Sequence, residues 1–236
     1  MVQKAERSLI YPKIAIVGVA GAGKTYSALR FARGYVGETG RVAVLDTENG
    51  SAGIYADVTD FDVQEIKPAV IRGVGNTKQR IFNTEDFVTG IEEACQEKYD
   101  ALIIDSASQV WNTVLELKAN IDYNGGNQFT NWKIPKEKLA RVKTAILQSP
   151  IMIVCCFRSK IEYVLEKDEK GSTTPKRVGM APVASGDAEY DYSIVFDVNK
   201  QHESSILKSR CPIFGNDFKE VLEETHGQEF RKWIGK

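Results

Sequence analysis

Gly18, Gly23, Lys24 and Thr25 satisfy the spacing G-x-x-x-x-G-K-[ST] within "IAIVGVAGAGKTYSAL". Glycines let backbone amides close around an anion, the lysine adds a cation for the β- and γ-phosphates of a nucleotide, and the threonine hydroxyl suits Mg²⁺. Gly18, Gly21, Ala22, Gly23, Lys24, Thr25 and Tyr26 therefore form the candidate nucleotide-binding set, with ATP and Mg²⁺ as the expected cofactors. Tyr26, like Tyr190 and Tyr192, offers a ring to a base, although packing is the plainer role for all three. A phosphate loop also needs a carboxylate at the end of another strand to hold the metal or its water shell. Asp105, closing "ALIID", has that placement, and Ser106 beside it can bond the same shell; capping the next helix is the competing role. Glu48 ends "VLDTE", where a carboxylate can reach the water attacking a γ-phosphate. Asp46 lies two residues earlier, and an exposed loop glutamate is the alternative reading of Glu48.

These groups need strands that end together. "KIAIVG", "RVAVLDTE", "FDVQEI", "DALIIDS" and "IMIVCCF" read as strands, the fourth apolar on both faces as a central parallel strand should be. Helices are expected from Lys24, after a cap at Asn83 or Thr84, over "QVWNTVLELKANI", and over "IPKEKLARVKTAILQ" with Pro135 near its first turn. Alternating strands and helices predict an α/β fold, a mostly parallel central sheet covered by helices on both faces. The last third offers short strands with turn-like connections, which predict an antiparallel C-terminal β extension. One domain is expected over residues 1–236, with a core over about 13–157, the extension over about 158–212 and terminal helices over about 213–236.

A formal net charge of −1 and a 42% hydrophobic share exclude a disordered acidic chain and a strongly basic binder. Any nucleic-acid contact must come from local patches. Four cysteines without CxxC spacing, and two histidines, argue against zinc. Cys155 and Cys156, in an apolar run, read as buried free thiols. The start "MVQKAERSLIY" lacks an apolar leader core and no run approaches about 18 apolar residues, so a cytoplasmic protein without membrane contact is expected.

"GVAGAGKT", "VLDTE" and "LIIDS", in that order, resemble the ATPase core of the RecA-type recombinases and their RadA and KaiC relatives. The resemblance implies a RecA-like P-loop NTPase fold, with Lys24 and Glu48 catalytic and Thr25 and Asp105 at the metal. "ILKSRCP" resembles the K-x-R pair of that family, which implies that Lys208 and Arg210 reach the γ-phosphate of a neighbouring subunit in a ring or filament. More narrowly, "FRSKIEYVLE", "KRVGMAPV", "EYDYSIVFDV" and "KSRCP" resemble phage-encoded AAA-type ATPases, a compact RecA-like group associated with single-strand annealing and recombination. RecA-type recombinases place a glutamine or similar polar sensor after the fifth strand. This chain has "CCFRSK" there, with Arg158 or Lys160 as substitutes.

"NGGNQFTNWKIPKEK" offers Phe129 and Trp132 for base stacking and Lys133 for phosphates, where RecA-like proteins place a DNA-facing loop. "KGSTTPKRVGM" adds Lys176 and Arg177. Hydrophobic capping by Trp132 and solvated lysines are the competing readings. The expected protein is thus a Mg²⁺-dependent ATPase, a homo-oligomer acting on single-stranded DNA in phage recombination within a bacterial cytoplasm. A single-strand-binding or other recombination protein is a further candidate partner. A P-loop kinase for a small metabolite or nucleotide, and a nucleotide-gated scaffold with little hydrolysis, remain the alternatives.

Overall fold

The computed structural model describes Lys4 and residues 6–167, 173–186 and 188–235, with the side chains of Leu9 and of 161–181 outside that description. In chain order the first elements are β1 (Lys13–Gly18), α1 (Lys24–Val36), β2 (Val42–Asp46), β3 (Asp62–Glu65), β4 (Ala69–Arg72), β5 (Lys78–Ile81) and α2 (Thr84–Gln96). Then come β6 (Ala101–Asp105), α3 (Ser108–Tyr123), α4 (Lys133–Gln148), β7 (Met152–Lys167) and β8 (Thr173–Pro182). The chain ends in β9 (Ile194–Val198), β10 (Ser204–Ser209), β11 (Lys219–Glu220) and α5 (Glu224–Ile234).

The main sheet runs β11-β10-β9-β1-β7-β6-β2-β3, parallel from β9 to β3. Every residue of β1, β2 and β6 is buried, which explains why these strands are continuous apolar runs rather than alternating ones. β10 and β11 add the antiparallel extension, and β8 folds back on the far end of β7.

Two cores flank the sheet. Between the sheet and the α1–α5 pair, Phe31 meets Phe196, Phe214 and Phe230 at ring separations of 5.8, 6.2 and 5.8 Å. The other core buries Phe87, Ile91, Val142 and Ile146 of α2 and α4 against the opposite face. α1 and α5 approach so closely that a Cβ on Gly227 would meet the Phe31 carbonyl oxygen at 2.1 Å.

Three sequence expectations shift. A two-strand sheet of β4 and β5 stands between β3 and α2, where no strands were expected. Residues 213–235 set the short β11 before the closing helix, α5, where only terminal helices were expected. The strand beginning "IMIVCCF" continues as far as Lys167.

Candidate active site

Parallel register brings the predicted groups to one edge of the sheet. Gly18 lies opposite Arg158, Asp105 opposite Cys156, and Asp46 opposite Asp105; Gly18, Asp46 and Asp105 close β1, β2 and β6, while β7 runs on past this edge. The phosphate loop starts where β1 touches β9: a Cβ on Gly18 would sit 2.7 Å from the Val198 carbonyl oxygen, so only glycine fits. Gly21 and Gly23 turn the loop with φ of 76° and 90°, the left-handed region open to glycine. The N-terminus of α1 has no side-chain cap, which leaves its amides for an anion. Lys24 Nζ folds across the loop onto the Val19 carbonyl at 3.0 Å. From the turn between β9 and β10, His202 Nδ1 stands 3.0 Å from the Ala22 carbonyl oxygen, bracing the loop from outside.

Thr25 Oγ1 donates to Asp105 Oδ2 at 2.5 Å. Asp105 is 5% exposed; burial pushes its carboxyl above the usual range, the Thr25 bond opposes this, and nearby Glu48 adds to it. Two hard oxygens, one from the first turn of α1 and one from the end of β6, suit Mg²⁺, which takes few protein ligands and completes its shell with water and phosphate oxygens. Ser106 is fully buried and donates to the Cys156 carbonyl at 3.3 Å, so it braces the strand end instead of facing a metal's water shell.

The two acidic residues of "VLDTE" have different occupations. Asp46 is buried, and its oxygens accept from the Glu48 amide at 2.5 Å and the Ala52 amide at 2.9 Å. It shapes the loop from which Glu48 emerges. Glu48 lines an open cleft together with Lys24, Thr25, Tyr55, Asp105 and Arg158. Arg158 grips it with Nε at 3.0 Å and Nη2 at 2.8 Å, both on Oε1, so Oε2 takes no partner among the described residues. A second cleft also borders Gly21 and Gly23 of the loop and is walled by Tyr26, Tyr55, Gln201 and His202. Tyr26 meets Tyr55 edge to face at 6.3 Å, so Tyr26 does border a space beside the phosphate loop.

Lys208 and Arg210 lie elsewhere. Ser209 pairs with Ile194 and Ile14 pairs with Ile194, so the end of β10 sits at the amino edge of the parallel sheet. There Lys208 donates to the Glu189 carbonyl at 2.6 Å and Arg210 to the Tyr190 carbonyl at 3.3 Å. Phe129 is 87% exposed, and Lys133 is exposed at the start of α4. Trp132 stacks on Trp111 at 6.3 Å with Lys118 over its ring. The side chains of Lys176 and Arg177, in β8, lie outside the described residues. Tyr192 is buried and packs edge-on against Phe157, while Tyr190 is exposed beside Lys208, distant in the fold from the phosphate loop.

His202, Tyr55 and the Asp46 loop were missed as site elements in the sequence. His202 touches a residue 180 positions away in a turn with no motif of its own. Tyr55 stands in a stretch whose short helix carries no amphipathic signal.

A family model described as "AAA domain" matches residues 10–198. The chain belongs to this AAA domain family. The parallel sheet and the G-x-x-x-x-G-K-[ST] motif are thus those of a P-loop ATPase-like fold. No curated protein matches the chain. Among solved structures, a KaiC-like protein from the hyperthermophilic archaeon Pyrococcus horikoshii OT3 is similar over 84% of this chain and 80% of its own, at 14% identity and a TM-score of 0.46. Among the described residues, no helix is long and apolar enough to cross a membrane.

Proposed function

We propose that this AAA domain binds ATP with Mg²⁺, hydrolyses it, and acts on single-stranded DNA as a homo-oligomer in phage recombination or annealing. The observation that carries the hydrolytic part is Glu48, whose free Oε2 shares a cleft with Lys24, Thr25 and Asp105. In this reading the loop amides and Lys24 take the phosphates, with Lys24 exchanging the Val19 carbonyl for a phosphate oxygen. Thr25 and Asp105 would hold the metal, which would supply positive charge against the phosphates. Glu48 orients the attacking water and accepts its proton.

Arg158 occupies the position of the missing polar sensor. Its guanidinium holds Glu48 through one oxygen only, fixing the carboxylate while leaving the other for water. The same contact favours a second reading, a nucleotide-gated scaffold with slow turnover, because a carboxylate gripped by arginine is less free to move toward substrate. Lys208 and Arg210 face away from their own cleft, which supports a role only across a subunit boundary.

Steady-state ATP hydrolysis with and without single-stranded DNA, at several protein concentrations and with Lys24→Ala as the blank, tests the proposal. Turnover that rises with both DNA and concentration supports an assembled DNA-dependent ATPase. Turnover indifferent to both leaves ATP hydrolysis standing and removes DNA and assembly from the proposal.

A further inference from the structure

From Ile66 to Thr84 the chain contains Lys67, Arg72, Lys78 and Arg80 and no acidic residue, in a protein of formal net charge −1. β4 and β5 fold this stretch into a hairpin whose register sets Arg72 opposite Lys78 and Val70 opposite Arg80. Opposed residues share a face, and so do residues two apart along a strand, so Val70, Arg72, Lys78 and Arg80 occupy one face. That face is exposed throughout, Val70 at 62%. The reverse face is docked. Gln79 folds over Gly73, where a Cβ would meet its Cδ at 2.1 Å, and its Oε1 accepts from Asn120 Nδ2 of α3 at 3.3 Å.

Lys67 is engaged by Glu65 at 3.1 Å, whereas Arg72, Lys78 and Arg80 have no carboxylate partner among the described residues. Like charges directly opposed across a ladder destabilise it. Arg72 and Lys78 form such a pair, and nothing in the hairpin compensates for it. We propose that the outer face of this hairpin contacts the phosphodiester backbone of a single-stranded nucleic acid, an inference that deepens the DNA reading above and rests on it.

The chemistry favours this occupant over a lipid surface. Membrane-surface elements set apolar side chains beside their cations, and Val70 is the one apolar residue on this face. An extended polyanion suits a row of point charges, with alternate strand residues about 6.7 Å apart, and arginine offers a planar fork to phosphate oxygens. The position also fits. Glu65 lies opposite Asp46, so the hairpin leaves the sheet from the same carboxyl edge as Glu48 and Asp105. α3, on which it docks, starts just after Asp105 and leads into the loop that exposes Phe129. One helix therefore joins the metal-side carboxylate, the cationic face and an aromatic ring available for stacking.

The test is fluorescence anisotropy of labelled oligothymidine titrated with the full chain across about 50 to 200 mM salt. The proteins compared are the wild type, the triple variant Arg72→Ala/Lys78→Ala/Arg80→Ala, and Lys78→Glu. Each phosphate contact to a single strand contributes about −0.7 to the slope of log K against log salt, so the triple variant should flatten it by about 2 and weaken low-salt binding on the order of tenfold or more. Lys78→Glu separates binding from folding. It creates an ion pair with Arg72, so the thermal midpoint should hold or rise while oligothymidine binding falls.

If the wild type binds and the triple variant matches it in affinity and slope, the hairpin assignment is overturned and the DNA reading survives. A wild type that binds no oligothymidine at low salt overturns both. Retained binding by Lys78→Glu overturns the hairpin assignment even where the triple variant is weak. Loss of binding to phosphatidylserine vesicles with oligothymidine binding unchanged assigns the face to a membrane, and tighter binding of a duplex than of oligothymidine overturns the single-strand choice.

Discussion

The two edges of the parallel sheet hold charged groups of the same kinds and use them in opposite ways. At the carboxyl edge, Lys24, Thr25, Glu48, Asp105 and Arg158 converge on one cleft because β1, β2 and β6 run parallel and end together, beside Arg158 of the parallel strand β7. At the amino edge, Lys208 and Arg210 are tied to backbone carbonyls of residues 189 and 190. Burial, with repulsion from Arg210 added, lowers the Lys208 ammonium below its ordinary value. A parallel sheet can assemble a complete phosphate site within one chain, but only at one of its edges. Groups at the other edge act on a nucleotide only if another subunit brings one to them.

The largest effect that sharpens this contrast comes from Glu48→Gln, which should lower kcat by about 10² to 10⁴ while leaving ATP binding intact. Turnover within a few-fold of wild type would leave the carboxyl edge without its base. Next, Arg210→Ala should lower turnover by about 10² at protein concentrations where subunits assemble, and hardly at all in dilute solution. An equal loss at every concentration would erase the distinction between the edges. Asp46→Asn removes the charge that holds the amides of Glu48 and Ala52. It should cost about 1–3 kcal/mol in denaturant unfolding and lower turnover with it.

The smallest effect concerns stability alone. Burial raises the Asp105 carboxyl, so the folded chain holds that proton more readily than the unfolded one. The associated stability is present below the ordinary carboxylate range and is lost as pH rises through the raised value. At neutral pH, Asp105→Asn should therefore raise the thermal midpoint of the nucleotide-free protein. A lower thermal midpoint would contradict the assigned cause.

The sequence carried the fold where burial was complete. β1, β2 and β6 are apolar on both faces, and Asn83 does cap α2, accepting from the Glu85 amide at 3.2 Å. The β4–β5 hairpin has no clear signature because its four-residue strands, AVIR and KQRI, are short, largely exposed and without regular alternation, a pattern weaker than the core runs around it. At the site, G-x-x-x-x-G-K-[ST] fixed the phosphate loop because local backbone geometry demands those residues. Asp46 and Glu48 were not separable, since which carboxylate turns inward depends on amides up to six positions onward. The bracing of Ala22 by His202 has no local signature at all.

That bracing gives β10 a mechanical meaning. The strand is six residues long, roughly 20 Å end to end. At one end its turn presses His202 on the phosphate loop, and at the other it presents Lys208 followed by Arg210. A loop that shifted on closing around a triphosphate would push on one end of this rod. In the proposed assembly the charges offered to the next subunit ride on the other end, so occupancy and assembly would be timed against each other without any further moving part.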